Sequence, residues 1–403
     1  MHELRIVYQA LYQNCPELHK KRLDTLITAV KALQSSDTLT LTSLGRHIGN
    51  NTKVKHSIKR MNRFLGNPHM HAERGSVYRW LAHYSCVANP MPVVLIDWAD
   101  VREQQRLMVL RASVAMEGRS MTLYERTFTL EVHNSSKAHK QFLNELAQVL
   151  PENCCPLLVT DAGFKNPWFR AVEAKGWYWL GRVRGQTHVA AATYDNWKSV
   201  AALHVQASSR AKALGSHRLT KRDKLSCQLY LYRSKPKGRK SQRSTTTNSH
   251  HPASADYSRS AKEPWVLATN LPGESLTAKQ VVTHYRKRMQ IEETFRDLKS
   301  PAFGFGLRHS RSRCPKRFDI MLLIALLLEL VLHWVGLFAC KSGWHKHFQA
   351  NTVRSLNVLS LLRLGKEVLR CGGCYRLKVR DIKWAILAFT QQLRKNSYVF
   401  AEL

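Results

Sequence analysis

A long apolar run, Ile320 to Cys340 (IMLLIALLLELVLHWVGLFAC), constrains the fold more than any other part of the sequence. By its length and composition, the run could cross a bilayer. Glu329 and His333 interrupt it one helical turn apart, where they would be costly in lipid but could face a polar seam inside a folded protein. We therefore predict a helix buried in a core that the rest of the chain supplies, with a membrane span as the alternative.

The charge of the chain indicates its partner. Lys and Arg total 63 against 28 Asp and Glu, which gives a formal net charge of +35, and the basic residues are spread over the whole length. Such a charge favours a long polyanion such as nucleic acid, because membrane headgroups usually attract a local basic cluster instead. With 403 residues, 44% of them hydrophobic, the chain can bury the cores of two or three domains.

The cysteines indicate a reducing compartment. There are nine, at irregular spacing, and no signal-type sequence opens the chain. This predicts free thiols and a cytoplasmic protein. Cys371 and Cys374 have half the spacing of a zinc site, but no second pair follows at ligand spacing, so we interpret them as incidental thiols in a turn.

The N-terminal part of the chain, up to about Ala88, has a helical pattern. Within it, Leu39–Asn67 predicts two short helices around a turn, an arrangement that resembles a helix-turn-helix. Apolar residues of the second helix can face a core, which leaves basic residues to reach DNA phosphates or bases. These candidate DNA-binding residues are Lys55, Lys59, Arg60 and Arg63. A generic basic surface helix is the alternative.

After residue 88 the pattern changes to short strands. Strands are predicted at residues 92–97, 107–116, 120–130, 156–161 and 177–183, with helices at 137–150 and 165–175. This order suits a mixed sheet that is covered by helices, antiparallel at first and then parallel.

A polar and basic segment follows from about Gly185 to Glu263. It contains one clear alternating strand, residues 225–233, and then the loop KPKGRKSQRSTTTNSHH, which predicts a β-rich insertion with a flexible basic loop. Another strand is predicted at Trp265–Asn270 and a helix at Leu276–Ser300. The remainder of the chain is helical in pattern to Leu403.

Two acidic residues each follow a short apolar run, Asp97 after VVLI and Asp161 after LLVT. Sheets of α/β proteins tend to place ligand and catalytic groups at the carboxyl ends of their strands. We therefore predict that both carboxylates end buried strands and meet if those strands are neighbours. A single aspartate in such a place can also be a turn or cap residue.

The predicted helix Leu276–Ser300 carries four polar residues at helical spacing. At about 100° per residue, these fall within one stripe beside an apolar stripe that can pack on a sheet. The four residues are Tyr285, Arg288, Glu292 and Lys299. An exposed helix with an Arg288–Glu292 ion pair is the alternative, and such a pair contributes little to stability.

Three carboxylates that converge in a cationic protein predict a metal site. Asp97, Asp161 and Glu292 would repel one another unless divalent metal lay between them, and oxygen ligands beside a phosphate substrate favour Mg²⁺ or Mn²⁺. Two such ions about 4 Å apart can activate a water or a 3′ hydroxyl for in-line displacement at phosphorus.

The spacing Tyr285-x2-Arg288-x3-Glu292-x6-Lys299 resembles the Y-R-E-K signature of bacterial insertion-sequence transposases of the insertion-sequence-four family. VLIDWAD and LLVTDAGF resemble the two Asp blocks of that family. The resemblance runs over nearly the full chain, from YQNCPELHKKRL to HFQANTVRSLNVLSLLRLG.

The resemblance implies an α/β fold with a ribonuclease-H-like mixed-sheet catalytic core, a β-rich insertion before the Glu helix, and helical regions at both ends of the chain. On this basis we expect a helical DNA-binding domain at 1–88 and a core in two parts, 89–184 and 264–318. The basic insertion would occupy 185–263, and the C-terminal helical region 319–403.

The resemblance also implies cut-and-paste transposition of double-stranded DNA, through a nick, a hairpin, hairpin opening and strand transfer, in a dimeric synaptic complex near the bacterial nucleoid. Asp97, Asp161 and Glu292 would hold Mg²⁺ or Mn²⁺, and Tyr285, Arg288 and Lys299 would grip terminal phosphates. Neither a membrane nor a small-molecule substrate is expected.

Related enzymes flip a base onto an aromatic ring, and the resemblance places Trp265 in that role. Arg182 is a candidate for a phosphate or base contact nearby. For both residues, ordinary packing or surface charge is the alternative.

Two other functions remain open at this point. A nuclease with the same core would share the carboxylates but only hydrolyse DNA, with no evident need for the Tyr-Arg-Lys stripe. A regulator without enzymatic activity would bind DNA through Leu39–Asn67 and would not need the carboxylates.

Overall fold

The chain forms two units, which we call the first and the second unit. The computed structural model describes residues 2–36, 38–49, 51–86, 90–102, 107–234, 263–301, 304–353, 357–397 and 399. The first unit consists of Met1–Cys154 and Met289–Leu403, and the second unit of Cys155–Arg288. The basic loop predicted at residues 235–251 lies outside the described residues.

The N-terminal part of the first unit is helical, as the sequence predicts. Helices α1 to α5 are His2–Asn14, Lys20–Gln34, Leu41–Arg46, Val54–Leu65 and Pro68–Cys86. Thr40 caps α3 by accepting a hydrogen bond from the Ser43 N–H at 3.1 Å. α3 and α4 cross so closely that a methyl group on Gly45 would lie 2.6 Å from the Ile58 Cα. The crossing therefore requires glycine at this position of α3.

An antiparallel sheet follows in the first unit. Its strands are β1 Val93–Arg102, β2 Leu107–Ala115 and β3 Ser120–Thr129. Asp97 pairs opposite Arg111, and Arg111 pairs opposite Glu125. Because opposite residues of neighbouring strands share a face, these side chains form one polar row across the sheet.

Helices cover both faces of this sheet. α6, Ser136–Val149, lies on the face of Trp98, whose Nε1 donates a hydrogen bond to His139 Nε2 at 3.3 Å. On the face of the polar row lies α9, Met289–Lys299. Its Phe295 ring packs 4.4 Å from the Arg111 guanidinium.

The long apolar run forms a buried helix of the first unit, as predicted. α10 spans Pro315–Lys341, and every residue from Phe318 to Leu337 is buried. By length and composition alone the helix could cross a membrane. Its neighbours in the first unit include α2, α5, β3 and the C-terminal helices α11, Leu361–Arg370, and α12, Val379–Ser397.

The second unit contains a mixed sheet. Its strands are β4 Leu157–Thr160, β5 Tyr178–Val183, β6 His188–Ala191, β7 Lys198–Ser199, β8 Lys212–Leu219, β9 Leu225–Tyr232 and β10 Trp265–Thr269. They lie in the order β4-β5-β10-β9-β8-β6-β7, with β4 parallel to β5 and the other pairs antiparallel. The α-helices among its described residues are α7 Asn166–Glu173 and α8 Ala278–Arg286.

Short 3₁₀ helices complete the described secondary structure of both units. They are Leu130–Val132, Val200–Gln206, Leu307–His309 and Trp344–Phe348. The cysteines in both units are free, and Cys371 and Cys374 lie in a turn.

Three features differ from the sequence prediction. Strands β6, β7 and β8 of the second unit were not predicted within the polar and basic segment. The helix predicted at Leu276–Ser300 is two helices, α8 and α9, because the backbone closes a turn between them, with Arg288 N donating to Tyr285 O at 3.1 Å. The prediction of one continuous helix was therefore wrong. β1 also continues beyond Asp97, since its pairing with β2 extends to Arg102.

Candidate active site

Asp97 lies in the middle of β1, not at the strand end that the sequence predicts. The prediction ended the strand at the first charged residue, but pairing with β2 buries Ala99 and Val101 as well. Asp97 is half-buried, and its Oδ1 accepts a hydrogen bond from the Trp98 N–H at 2.9 Å. Its carboxylate shares a face with Arg111 on β2.

Glu292 and Lys299 lie on α9, which contacts β1 within the first unit. Glu292 is in the first turn of the helix, where the helix dipole favours a carboxylate. Burial lowers the pKa of the Lys299 ammonium and nearby Arg308 adds to this, while Asp100 and Asp97 act in the opposite direction. Lys299 therefore lies within electrostatic reach of Asp97. We call Asp97, Glu292 and Lys299 the Asp97 cluster.

Asp161 directly follows β4 in the second unit, at the carboxyl end of a fully buried strand, as predicted. Its Oδ1 accepts a hydrogen bond from the Gly163 N–H at 2.8 Å. This contact fixes the turn that leads towards α7, and the Asp161 side chain is only half-buried. The carboxylate thus has a defined backbone and remains accessible.

A group of aromatic and cationic side chains surrounds Tyr285 in the second unit. Burial raises the pKa of the Tyr285 hydroxyl, whereas the charges of Arg288 and Arg182 and a hydrogen bond from Arg288 oppose the rise, and Asp161 adds to it. The Trp265 ring meets the Tyr285 ring with centroids 5.0 Å apart. We call Tyr285, Arg288, Arg182 and Trp265 the Tyr285 cluster; Asp161 lies within its electrostatic reach.

The arginines of the Tyr285 cluster are crowded by like charges. Burial lowers the pKa of Arg182, and the neighbouring Arg184 and Arg288 lower it further, while Glu263 opposes them. Arg182 Nη2 contacts Glu263 Oε2 at 3.3 Å, and Arg184 pairs with the same carboxylate. Within the described part of the chain, the buried Arg182 Nε has no hydrogen-bond partner. Such a group of cations is suited to an anionic ligand.

The basic residues predicted on the second helix of the helix-turn-helix lie on α4. All are exposed, while Ser57, Met61, Phe64 and Leu65 form the buried face of the helix. The exposed set is Lys55, Lys59, Arg60 and Arg63.

Comparison with known families decides the class of protein. A model of the transposase DDE domain matches residues 88–329, which is more than half of the 403 residues. The chain belongs to the DDE transposase family. No curated protein matches this transposase in a sequence comparison. Membership of the family means that the sheets and flanking helices of the transposase have a ribonuclease-H-like fold. It also means that the partner of the transposase is DNA.

DDE transposases generally use divalent metal ions. Carboxylate oxygens are the ligands that Mg²⁺ prefers, and the half-buried Asp97 and Glu292 lie on two contacting elements of the first unit. The donor chemistry therefore fits such an ion, with Asp161 as the predicted third ligand. Among the described residues, no three His, Cys, Asp or Glu side chains are already grouped closely enough to hold a metal.

Some polar residues beside the two clusters were missed in the sequence. Glu263 orders Arg182 and Arg184 in the second unit, and the buried pair of Arg111 and Glu125 lies behind Asp97 in the first. A signal for the buried pair existed, because Arg111 interrupts the apolar strand LMVLRASVA and Glu125 interrupts SMTLYERTFT. A lone charge in such a strand needs a buried partner.

Proposed function

We propose that this transposase excises and reinserts a DNA element by a cut-and-paste pathway that passes through a hairpin. Within the DDE transposases we assign it to the insertion-sequence-four family, next to the transposase of the tetracycline-resistance composite transposon. The spacing of Tyr285, Arg288, Glu292 and Lys299 supports this assignment. The alternative is a ribonuclease-H-like nuclease that does not join strands.

Asp97, Asp161 and Glu292 would hold Mg²⁺, with Mn²⁺ as a substitute. When bound, the metal would activate the attacking oxygen and stabilise the leaving oxygen of a displacement at phosphorus. The residues around these carboxylates orient them: the Trp98 N–H bonds Asp97, and the Gly163 N–H bonds Asp161. Both contacts are to backbone N–H groups of residues next to or two after the aspartates, so they constrain each carboxylate locally.

The Tyr285 cluster is the observation that carries the proposal. Hairpin closure requires the freed 3′ hydroxyl to reach the opposite strand, so the duplex end must bend sharply and its phosphates must be held. Arg182 and Arg288 supply charge for those phosphates, and the half-buried Trp265 ring supplies a surface on which an unstacked base can lie. A nuclease that only nicks DNA needs neither feature.

Other parts of the proposal concern binding and assembly. Lys299 would contact a terminal phosphate beside Asp97, and the basic surface of α4 would bind the duplex. We propose that two copies hold two element ends in a synaptic dimer before joining them to target DNA. The protein would work in the bacterial cytoplasm, at the nucleoid.

The test uses the full chain with Mg²⁺ and a linear duplex that ends in the inverted repeat flanking its coding region. We expect nicked DNA first, then a hairpin that migrates as one long strand on a denaturing gel, and joined products when target plasmid is added. A duplex with a scrambled end is the matched control. Nicks that never mature into hairpins or joined strands would favour the nuclease.

A further inference from the structure

Arg111 is a charged residue in the core of the first unit. Only 1% of its surface is exposed. Its Nε and Nη2 donate hydrogen bonds to Glu125 Oε2 at 2.8 and 2.6 Å, and the Tyr78 hydroxyl donates to Glu125 Oε1 at 3.4 Å. A buried ion pair of this kind is costly to desolvate and often adds nothing to stability, so its presence calls for another explanation.

The position of Arg111 relates it to both acidic residues of the Asp97 cluster. On one side, the pairing of β1 with β2 places Arg111 directly opposite Asp97, on the same face of the sheet. On another side, its guanidinium lies 4.4 Å from the Phe295 ring, and Phe295 is one helical turn after Glu292 on α9. Arg111 therefore lies beside the strand that carries Asp97 and in contact with the helix that carries Glu292.

One nitrogen of this guanidinium remains available. Nη1 of Arg111 is buried and has no hydrogen-bond partner among the described residues. A buried donor without a partner is costly, so an acceptor is expected in the working state. Two carboxyl groups near Arg111 are candidate acceptors. Asp97 lies on the same face of the sheet. Buried Glu329 lies within electrostatic reach of Arg111, and its Oε1 also lacks a partner in the described structure.

We propose that Arg111 is a positioning residue for the metal site. In the metal- and DNA-bound state, its Nη1 donates to the Asp97 carboxylate and fixes the direction of the oxygen that faces the metal. Through its contact with Phe295, Arg111 also holds α9, and with it Glu292, against β1. The inference rests on the proposed function, because it assigns a task only if Asp97 and Glu292 are metal ligands.

The chain offers variants that separate positioning from folding. Arg111→Lys keeps the charge but loses the planar fork of donors. Because a lone Glu125 could unfold the core, a second variant, Arg111→Gln with Glu125→Gln, replaces the buried ion pair by two amides. The matched control is Arg126→Met, which removes an arginine of β3 that faces the other side of the sheet, where it pairs with Glu145.

The experiment uses the full chain in complex with end DNA that cannot be cleaved. Electron paramagnetic resonance measures how tightly this complex binds Mn²⁺. Removing residues that orient metal ligands typically weakens metal affinity or activity by about 10–100-fold. We expect a loss of Mn²⁺ affinity in that range for both Arg111 variants, with end binding in EDTA unchanged. Arg126→Met should retain the Mn²⁺ affinity of the wild-type protein.

Two outcomes would count against the idea in different ways. Wild-type Mn²⁺ affinity in folded Arg111 variants would mean that Arg111 serves only Glu125 and Glu329 in the core. If Asp97→Asn also left Mn²⁺ affinity unchanged, the metal site itself, and thus the proposed function, would be wrong. A thermal melt of each variant identifies those that fold.

Discussion

The Trp265 ring stands edge to face against the buried Tyr285 ring, with centroids 5.0 Å apart and planes at 69°. Tyr285 thus fixes one edge of an indole that remains half-exposed. We predict that Trp265→Ala spares the first nick and slows hairpin formation by about 10–100-fold, the equivalent of the roughly 1–3 kcal/mol of one base stacked on an aromatic ring. Rapid-quench assays that resolve nicked and hairpin DNA measure both rates.

Two further variants test whether the ring itself is responsible. Trp265→Phe keeps an aromatic face and should recover most of the hairpin rate. Tyr194→Ala removes an aromatic side chain that is 73% exposed in the same unit and should change neither step. Equal slowing of the nick and the hairpin in Trp265→Ala would instead indicate a folding defect.

Asp161→Asn should abolish cleavage and leave end binding intact. The amide oxygen can still accept the 2.8 Å hydrogen bond from the Gly163 N–H, so the turn after β4 is preserved while the negative charge is lost. Glu292→Gln should behave in the same way. End binding is measured by gel shift in EDTA, and cleavage on a denaturing gel with Mg²⁺.

The exposed Glu274 of the second unit provides the control, since Glu274→Gln removes a carboxylate to which no role is assigned and should cleave normally. Cleavage by Asp161→Asn at the wild-type rate would remove Asp161 from the site.

Most strands of both units could be predicted because their sequences alternate or run apolar between turn residues, but β6, β7 and β8, which lie in the polar and basic segment, were not predicted. The apolar run LLVT is followed by Asp161, and the structure ends β4 at Thr160. The end of β1 was not predictable in this way, because its second half, from Trp98 to Arg102, mixes charged and apolar residues. Only pairing with β2, a contact between distant parts of the chain, makes that half a strand.

The break between α8 and α9 had no local signal. Neither Gly nor Pro occurs between Leu276 and Ser300, and the helical pattern continues through Arg288. The sequence pattern therefore placed four candidate residues on one continuous helix, whereas the structure divides them between two helices and a turn. Tyr285 ends up on α8, Arg288 in the turn, and Glu292 and Lys299 on α9. Fixed spacing along a sequence predicted a set of residues, not the geometry between them.

The crossing of α10 and α11 should be intolerant of any side chain at its glycines. A methyl group on Gly365 would lie 2.2 Å from the Leu332 carbonyl oxygen, and one on Gly336 would lie 2.2 Å from that of Leu361. Because both contacts are with backbone, the helices must separate. We predict that Gly365→Ala lowers the free energy of unfolding by about 1–3 kcal/mol, measured by urea denaturation.

Gly75 in α5 is the matched control for Gly365, because a methyl group there would meet nothing within 4 Å. Gly75→Ala should raise the free energy of unfolding by roughly 0.5–1 kcal/mol through helix propensity. Equal effects of the two substitutions would contradict the close crossing.

Glu329 should make stability fall as pH rises. Burial raises the pKa of this carboxyl from 4.5 to about 8, with Glu125 and Asp297 adding to the rise and Arg111 opposing it. At a pH between these two pKa values, the folded state holds a proton on Glu329 that the unfolded state has released. Folding is therefore favoured at the lower pH values of this window. Within this window the stability contribution declines by about 1.4 kcal/mol per pH unit.

Glu329→Gln removes this titration while keeping the shape of the side chain. The melting temperature of the variant minus that of the wild-type protein should therefore increase between pH 5 and pH 8. Taking the difference cancels the other titrating groups. A difference that stays constant over this range would mean that Glu329 does not hold its proton in the folded protein.

The exposed basic residues of α4 should contribute to DNA binding through charge. A plot of log affinity against log salt concentration has a negative slope. Each phosphate contact that is lost should reduce the magnitude of this slope by about 0.9 for duplex DNA. We predict that Lys59→Ala with Arg63→Ala weakens end binding at low salt and reduces the slope by about 2. Fluorescence anisotropy with labelled end DNA, measured over a series of salt concentrations, gives both values.

Lys137→Ala, which removes an exposed lysine at the start of α6 in the same unit, controls for the loss of net charge alone. If Lys137→Ala reduces the magnitude of the slope as much per charge removed as the α4 substitutions do, the +35 net charge acts diffusely and α4 is not a specific contact. A slope that responds only to α4 places the phosphates against that helix. Because the buried face of α4 is unchanged in these variants, their melting temperatures should match that of the wild-type protein.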